Sequence, residues 1–408
     1  MTNKGTAKKW AFKARFRRHA FGWKSQPAIK RVKEAVSEIK RAARQGKCVA
    51  AEGAILFLER LSPALEHVDS SSGAIGTAVN NAIGALVPII AKAPVDECTR
   101  EAWLERLFDA YQEDAIPYIE SLGDHWGELC ASKGIASRWA DQLIDTCKLA
   151  WSPDPSLRGF FKGTTNCLSA LLAAQRYEEL LELLEMAPYK TWHYRRYGVA
   201  ALAALGRKAE AIRYAEEGRG LNDSPVAIAQ ACEAVLLESG MIEEAYRRYG
   251  LRANQAGTYL AWFRAVQKKY PDKQTADILD DLVRETPGEE GKWFAAAKSA
   301  GLFDKAIALA NQTPCAPQTL TRAARDFADK NPGFALEAGV AALRWLVLGY
   351  GYEITGLDVL NAYSFAMKAA KNAGREQETL KRVRELVAAE KSSDRFVNRV
   401  LGRELELA

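Results

Sequence analysis

The stretches ALAALGRKAEAIRYAEEG (residues 201–218) and LLESGMIEEAYRRYG (residues 236–250) share one pattern, a turn glycine framed by small residues. An alanine lies six positions before the turn residue and another lies five positions after it. Four turn residues with this spacing follow one another at intervals of 34, 31 and 30 positions: Gly206, Gly240, Pro271 and Gly301. A period near thirty with a helix on each side of a turn is typical of stacked helical hairpins. Small residues are expected where the two helices cross closely.

The register extends in both directions, with further turns expected at Gln175, Asn331 and Gly374. About six or seven hairpins result, more than the roughly three that a stack needs. The turn glycine and the alanine five positions later resemble the tetratricopeptide repeat, although the early Trp, the Leu-Gly pair and the late Pro of that motif are mostly missing. We predict an all-α chain: an α-solenoid of tetratricopeptide-like hairpins in a right-handed superhelical array, preceded by an irregular helical segment and a basic N-terminal arm.

Composition limits the alternatives. The chain has 408 residues, 48% of them hydrophobic and 9% aromatic, which suits helix packing in two domains or an elongated array. No secretory h-region precedes the body, and the longest apolar stretch, Ala82 to Ala91, is interrupted by Pro88, so no membrane span is expected. Seven scattered cysteines without a CxxC motif favour reduced thiols in the cytoplasm, with no metal and no cofactor.

Charge is distributed unevenly along the chain. Residues 1–47 contain 15 Lys and Arg against only Glu34 and Glu38, a net charge of +13, so the other 361 residues carry −7. A terminal block of one sign indicates an interaction arm. Aromatic residues interleave with these cations, as in single-strand-binding segments where rings stack on bases. An anionic membrane surface, docking on a protein or on the chain's own acidic part, and an organellar presequence fit the same composition.

Residues 27–45 are expected to form the first ordered helix. Ile29, Val32, Val36 and Ile39 make one apolar stripe, and the cations face outward. We expect residues 1–24 to be separable from the folded core. The predicted nucleic-acid-binding residues of this arm and helix are Lys8, Lys9, Trp10, Lys13, Arg15, Arg17, Arg18, Trp23, Lys30, Arg31, Arg41 and Arg44, with Lys33 and Lys40 also outward.

The middle of the chain is helical without the thirty-residue rhythm, and helices are expected at about 98–112, 114–121 and 134–150. The segments FLERLSPALEHVDSSSGAIGTAVNNAIGALVPIIAKAP (residues 57–94) and WLERLFDAYQEDAIPYIESLGD (residues 103–124) are similar to a bacterial helical family of unknown function, some members of which accompany a SWIM zinc finger. The likeness covers residues 50–151. It implies a helical fold and a bacterial setting but no catalytic residues, and the cysteines of such a finger are absent from this sequence.

A dense polar-aromatic group, TWHYRRYG (residues 191–198), could anchor a peptide because Trp, Tyr and Arg dominate binding hot spots. Packing between hairpins is the alternative. The candidate protein-binding residues are Trp192, His193, Arg195, Arg196 and Tyr197.

No phosphate loop, HExxH or GxSxG motif occurs, which favours a non-enzymatic protein. We predict three parts, residues 1–47, 48–151 and 160–408. The expected function is a binding or adaptor protein that presents a groove to a protein partner and attaches electrostatically through its arm. A nucleic-acid-binding protein is the alternative, and a helical-repeat DNA glycosylase, suggested by ten tryptophans and the basic arm, is the remote one.

Overall fold

The computed structural model describes residues 8–217, 220, 223–392 and 394–407, and every regular element among them is a helix. The chain divides into two compact units, Met1–Val235 and Leu236–Ala408. The helices of the first unit are α1 Ala11–Arg15, α2 Ser25–Ala43, α3 Lys47–Leu65, α4 Ala74–Ala91, α5 Glu97–Gln112, a 3₁₀ turn Glu120–His125, α6 Trp126–Cys130, α7 Lys133–Ala150, α8 Thr164–Ala173, α9 Tyr177–Glu185, α10 Trp192–Ala204 and α11 Lys208–Glu217, followed by α12 Pro225–Glu238 at the division.

The second unit is built in the same way. Its helices are α13 Ile242–Ala245, a π turn Tyr246–Gly250, α14 Leu251–Ala253, α15 Tyr259–Lys269, α16 Thr275–Glu285, a 3₁₀ turn Glu290–Trp293, α17 Phe294–Ser299, α18 Phe303–Gln312, α19 Pro317–Phe327, α20 Pro332–Val347, α21 Gly356–Asn372, α22 Glu376–Ala388 and α23 Phe396–Leu401.

The seven predicted turn residues all lie between consecutive helices. At five of them the turn residue has a positive φ, and the next residue donates its N–H to the carbonyl five positions earlier. Around Gly206, for example, φ is 77° and Arg207 N–H donates to Leu202 O at 2.9 Å. This is the Schellman arrangement that ends a helix without leaving its last carbonyls unpaired. The five turns are Gln175, Gly206, Gly240, Gly301 and Gly374.

The expected role of the small residues is correct on one side of the turn only. Ala211, Ala245 and Ala306, five positions after their turns, are fully buried. Of the alanines six positions before the turns, Ala234 is exposed and Ala200, Ala265 and Ala295 are only partly buried. A glycine makes a close crossing between α20 and α21, because a Cβ at Gly339 would lie 2.6 Å from the Cβ of Ala366.

The N-terminal segment is part of the core, so the expectation that residues 1–24 are separable from the fold is wrong. Phe12 and Phe16 are buried edge-on against Phe57 of α3, with ring centroids 5.5 and 5.0 Å apart. The first seven residues of the predicted arm lie outside the described residues. The amphipathic helix expected at 27–45 is confirmed as α2, with Ile29, Val32 and Ile39 buried.

The middle segment agrees with expectation at α5 and α7 but not at residues 114–121. There the backbone N–H groups of Tyr118 and Ile119 donate to the side chain of Asp114 at 3.3 and 2.8 Å. A carboxylate that accepts local N–H groups competes with the helical hydrogen bonds. Residues 114–119 therefore form no regular helix, and the 3₁₀ turn Glu120–His125 follows them. Residues 151–163 lie inside the first unit, where Tyr111 Oη donates to the carbonyl of Lys162 at 2.9 Å.

Among the described helices, α4 alone is long and apolar enough to cross a membrane by length and composition, which the interrupted run at Ala82–Ala91 did not lead us to expect. Core helices pass the same test. Seven of its residues, from Ile75 to Ile90, are buried in the core of the first unit. Its exposed face includes Asn80, whose side-chain oxygen accepts from the Ser121 hydroxyl at 3.0 Å. In this structure α4 packs as a core helix.

Candidate functional site

The outward face of α2 carries a straight row of polar residues. At about 100° per residue, their spacing confines them to an arc of about 100°, over a length of about 21 Å. A groove of about 780 Å³ runs along this face. The residues of the row, which we call the α2 stripe, are Lys30, Lys33, Ser37, Lys40, Arg41 and Arg44, and all of them are exposed.

The five cations of the α2 stripe have no carboxylate within ion-pair distance among the described residues. The two acids of the segment are already engaged. Glu34 binds Arg31 at 2.6 Å and Arg15 at 2.8 Å, and the hydrogen bond from Arg31 lowers the pKa of Glu34. Glu38 accepts the N–H groups of Ala11 and Phe12 at 2.8 and 3.2 Å. The positive charge of the stripe is therefore not neutralised from within.

A second basic surface lies between α1 and α3. Five cations line a groove of about 1080 Å³ there: Lys8, Lys9, Lys13, Arg17 and Arg60. We call it the α1–α3 groove. Arg60 was not among the predicted site residues, because its place beside α1 follows from the packing of two helices and has no signal in the local sequence.

The predicted nucleic-acid-binding residues therefore fall into three groups. Lys30, Arg41 and Arg44 belong to the α2 stripe, and Lys8, Lys9, Lys13 and Arg17 line the α1–α3 groove. The other three cations have acidic neighbours: Arg15 and Arg31 share Glu34, and Arg18 lies 3.9 Å from Glu66.

The aromatic residues of the arm are placed differently from the stacking arrangement that we expected. Trp10 is only 7% exposed, and Phe12 and Phe16 are buried. Their ring faces are covered by protein and are not presented to bases. Trp23, at 72% exposed, is the one predicted tryptophan with an open ring. Backbone binding by cations is thus better supported than stacking on unpaired bases.

The predicted protein-binding group at 192–197 mostly packs inside the first unit. Arg195 is buried over the ring of Tyr214, 4.2 Å from its centroid. Arg196 forms an ion pair with Asp124, and burial raises the pKa of Tyr197, whose hydroxyl donates to the same carboxylate at 3.3 Å.

The remaining two members of this group also have neighbours within the unit. His193 Nε2 lies 3.1 Å from Thr165 Oγ1, and the backbone N–H of Trp192 donates to Asp223 at 2.9 Å. Inter-helix packing, the alternative considered from the sequence, describes the group better than an exposed anchor does.

The described residues contain no group of three or more His, Cys, Asp or Glu side chains that could hold a metal ion. Cys48 and Cys98 are exposed, and the other five cysteines are buried. Burial raises the pKa of Cys130 and of Cys315 to about 12, so both thiols stay protonated near neutral pH.

Comparison of the chain with protein-family models, with curated proteins and with solved structures returned no match. The resemblances to the tetratricopeptide repeat and to the bacterial helical family therefore stay predictions. The geometry of the first unit carries the functional argument.

Proposed function

We propose that this chain is a non-enzymatic binding protein that holds the phosphate backbone of nucleic acid through the α2 stripe. The observation that carries the proposal is the row of five exposed cations without carboxylate partners among the described residues. Such a row gains free energy from phosphates by releasing their condensed counterions. Its length of about 21 Å spans roughly twelve phosphate charges of a duplex at about 1.7 Å of axis per charge.

The same geometry favours binding without sequence preference. Lysine and arginine contacts to phosphates position a protein but carry no base information. The row lies along the side of α2, and the buried rings of Trp10, Phe12 and Phe16 do not contribute stacking. Duplex DNA or RNA of any sequence is therefore the proposed ligand.

The test is fluorescence anisotropy of the full chain with labelled duplex and single-stranded oligonucleotides over a salt series. Binding of duplex that weakens steeply with salt, and that is lost in the variant Lys33→Gln/Lys40→Gln/Arg41→Gln, would support the proposal. The matched control changes three exposed lysines of the second unit without ion pairs among its described residues, Lys268, Lys371 and Lys381, to Gln. Equal loss of binding in both triple variants would show that binding depends only on net charge, and would reject the α2 stripe as the binding site.

A protein-binding role for the second unit is the second candidate. Its specific support is a run of exposed apolar and aromatic side chains at the end of α20 and the start of α21. Exposed apolar surface of this kind often marks an interaction site. The residues are Leu348, Tyr350, Tyr352, Leu357 and Leu360. A photo-crosslinker at Leu357 and at Leu360 should capture the same protein, whereas one at Lys381 should not. Capture of unrelated proteins at the two leucines would reject this candidate.

A further inference from the structure

The α1–α3 groove has a different chemistry from the α2 stripe, because its floor is apolar. Ala14 of α1, Val49 and Leu56 of α3 and the indole of Trp10 form the floor. Val49 is 47% exposed. The cations stand around this floor, so the groove is apolar at its base and positive at its rim.

The helix spacing explains how the groove forms. Val49, Glu52, Leu56 and Arg60 lie at intervals of three and four residues on one face of α3, over about 16 Å or three turns. The opposite wall has Lys13 and Ala14 of α1 and Arg17 from the segment that follows it, while Phe12 and Phe16 turn into the core. The groove therefore lies between one face of α3 and the short N-terminal segment that packs on it.

The rim has almost no negative charge of its own. Among the described residues Glu52 is the one acid that lines the groove, and it is bound by Arg106 at 2.6 Å. Arg106 also binds Glu59 at 2.7 Å, and these hydrogen bonds raise the pKa of the guanidinium. Among the described residues no carboxylate forms an ion pair with the cations of the groove, although Lys8 Nζ lies 4.9 Å from the Trp10 ring centroid and Arg60 donates to the Phe16 carbonyl at 3.5 Å.

We propose that the α1–α3 groove binds an acidic amphipathic helix of a partner protein. Leucine-type side chains of about three turns of that helix would cover Val49 and Leu56, as amphipathic helices do in apolar grooves. Acidic residues on its flanks would pair with Lys13 and Arg17 on one side and Arg60 on the other. A nucleic-acid backbone satisfies only half of this surface, since phosphates leave the apolar floor uncovered.

The α1–α3 groove and the α2 stripe share no residue, so binding at the groove does not depend on binding at the stripe. The probe is a synthetic helical peptide of Leu, Ala and Glu with its leucines on one stripe and glutamates on both flanks. Two control peptides carry Lys in place of Glu, or the same residues in an order without a stripe. Anisotropy with the full chain should show binding of the acidic amphipathic peptide that neither control reproduces.

Alkylation of cysteine reports where the peptide binds. Cys48 lines the groove and is exposed, and Cys98 is exposed but does not line it. With peptide at about ten times its Kd, alkylation of Cys48 should slow by about tenfold from occupancy alone. Alkylation of Cys98 in the same molecules should keep its rate. Equal protection of both thiols, or of neither, would overturn the proposed site.

Variants separate the apolar and charged parts. Val49→Asp should weaken peptide binding by about tenfold or more, whereas Leu149→Asp, at a leucine that is 55% exposed on α7, should not. The variant Lys13→Glu/Arg17→Glu should reverse the preference, so that the Lys peptide binds more tightly than the Glu peptide. The α2 triple variant should bind the acidic peptide as the parent does.

Other occupants would give other patterns. Protection of Cys48 by duplex DNA or by anionic phosphatidylserine vesicles, without protection by the peptide, would overturn the proposal in favour of nucleic acid or membrane. Binding of the Glu and Lys peptides with equal affinity would also overturn it, because the cationic rim would then have no role.

Discussion

The indole of Trp10 lies directly on the backbone of Gly53, in the space that a side chain would otherwise fill. A Cβ atom at Gly53 would be 2.1 Å from the ring carbon Cζ2 of Trp10. The absence of a side chain at one position of α3 therefore lets the N-terminal segment settle on this helix. This contact joins the N-terminal segment to the core, and Trp10 also lines the α1–α3 groove.

We expect Gly53→Ala to destabilise the chain by about 1–3 kcal/mol, because the methyl group must displace the indole. Alanine in place of an unhindered helical glycine has the opposite effect and stabilises by about 0.5–1 kcal/mol. Gly84→Ala in α4 is the matched control, since a Cβ there meets nothing within 4 Å. Urea unfolding of both variants measures the difference, and a stabilised Gly53→Ala would contradict the packing of Trp10.

Phe16→Ala should cost about 3–5 kcal/mol, the usual range for a buried phenylalanine. Its ring is fully buried between Phe21 and Phe57, at 5.3 and 5.0 Å. Trp23→Ala, at a ring that is mostly exposed, should stay within about 0.5 kcal/mol of the parent. Deletion of residues 1–24 should therefore lower the melting temperature as Phe16→Ala does. An unchanged melting curve for the deletion would show instead that the segment is an arm separable from the fold.

Ala211→Leu and Ala245→Leu should each destabilise by about 1–3 kcal/mol through overpacking. Both alanines are fully buried five positions after a hairpin turn. Ala234→Leu tests the other side of the turn, where the side chain is exposed, and should be close to neutral. Chemical unfolding of the three variants checks the asymmetry, which equal effects at all three positions would refute.

The salt dependence of nucleic-acid binding should fall with the number of stripe cations removed. Each phosphate contact contributes about −0.9 to the slope of log K against log salt, so Lys33→Gln/Lys40→Gln should reduce the slope by about two. The affinity for one duplex, measured at constant temperature and at several salt concentrations, gives this slope. A weaker affinity with an unchanged slope would mean that the two lysines do not contact phosphates.

Burial raises the pKa of Asp114 above the ordinary aspartate value of 3.8. As the pH rises past 3.8, Asp114 loses its proton in the unfolded chain before it does so in the folded chain. The contribution of Asp114 to the free energy of unfolding therefore falls between pH 3.8 and the raised pKa of the folded state. Asp114→Asn should remove this fall, seen as a flatter dependence of the unfolding free energy on pH. Asp154→Asn should change the pH dependence of the unfolding free energy in the opposite direction. Hydrogen bonds from Ser156 lower the pKa of that exposed carboxyl, so Asp154 adds stability as the pH rises. Parallel curves for the two variants would contradict the assignment.

Much of the helical layout could be predicted from local pattern. The apolar stripe of α2 and the turn glycines act through the 3.6-residue period and the left-handed conformation that glycine adopts without strain. The helix expected at 114–121 failed because the Asp114 side chain takes the N–H groups of Tyr118 and Ile119. The conformation of this segment also depends on Ser62 of α3, whose hydroxyl donates to the same carboxyl.

The site was less predictable than the helices. The sequence alone determined that residues 1–47 are strongly basic and that the cations of α2 face away from its apolar stripe, since both are properties of one segment. The tertiary structure alone decided that the rings of Trp10, Phe12 and Phe16 are used in packing, and that Arg60 joins the rim of a groove. Burial and groove formation depend on which helices meet, and the helix that covers these rings begins more than thirty residues after Trp10.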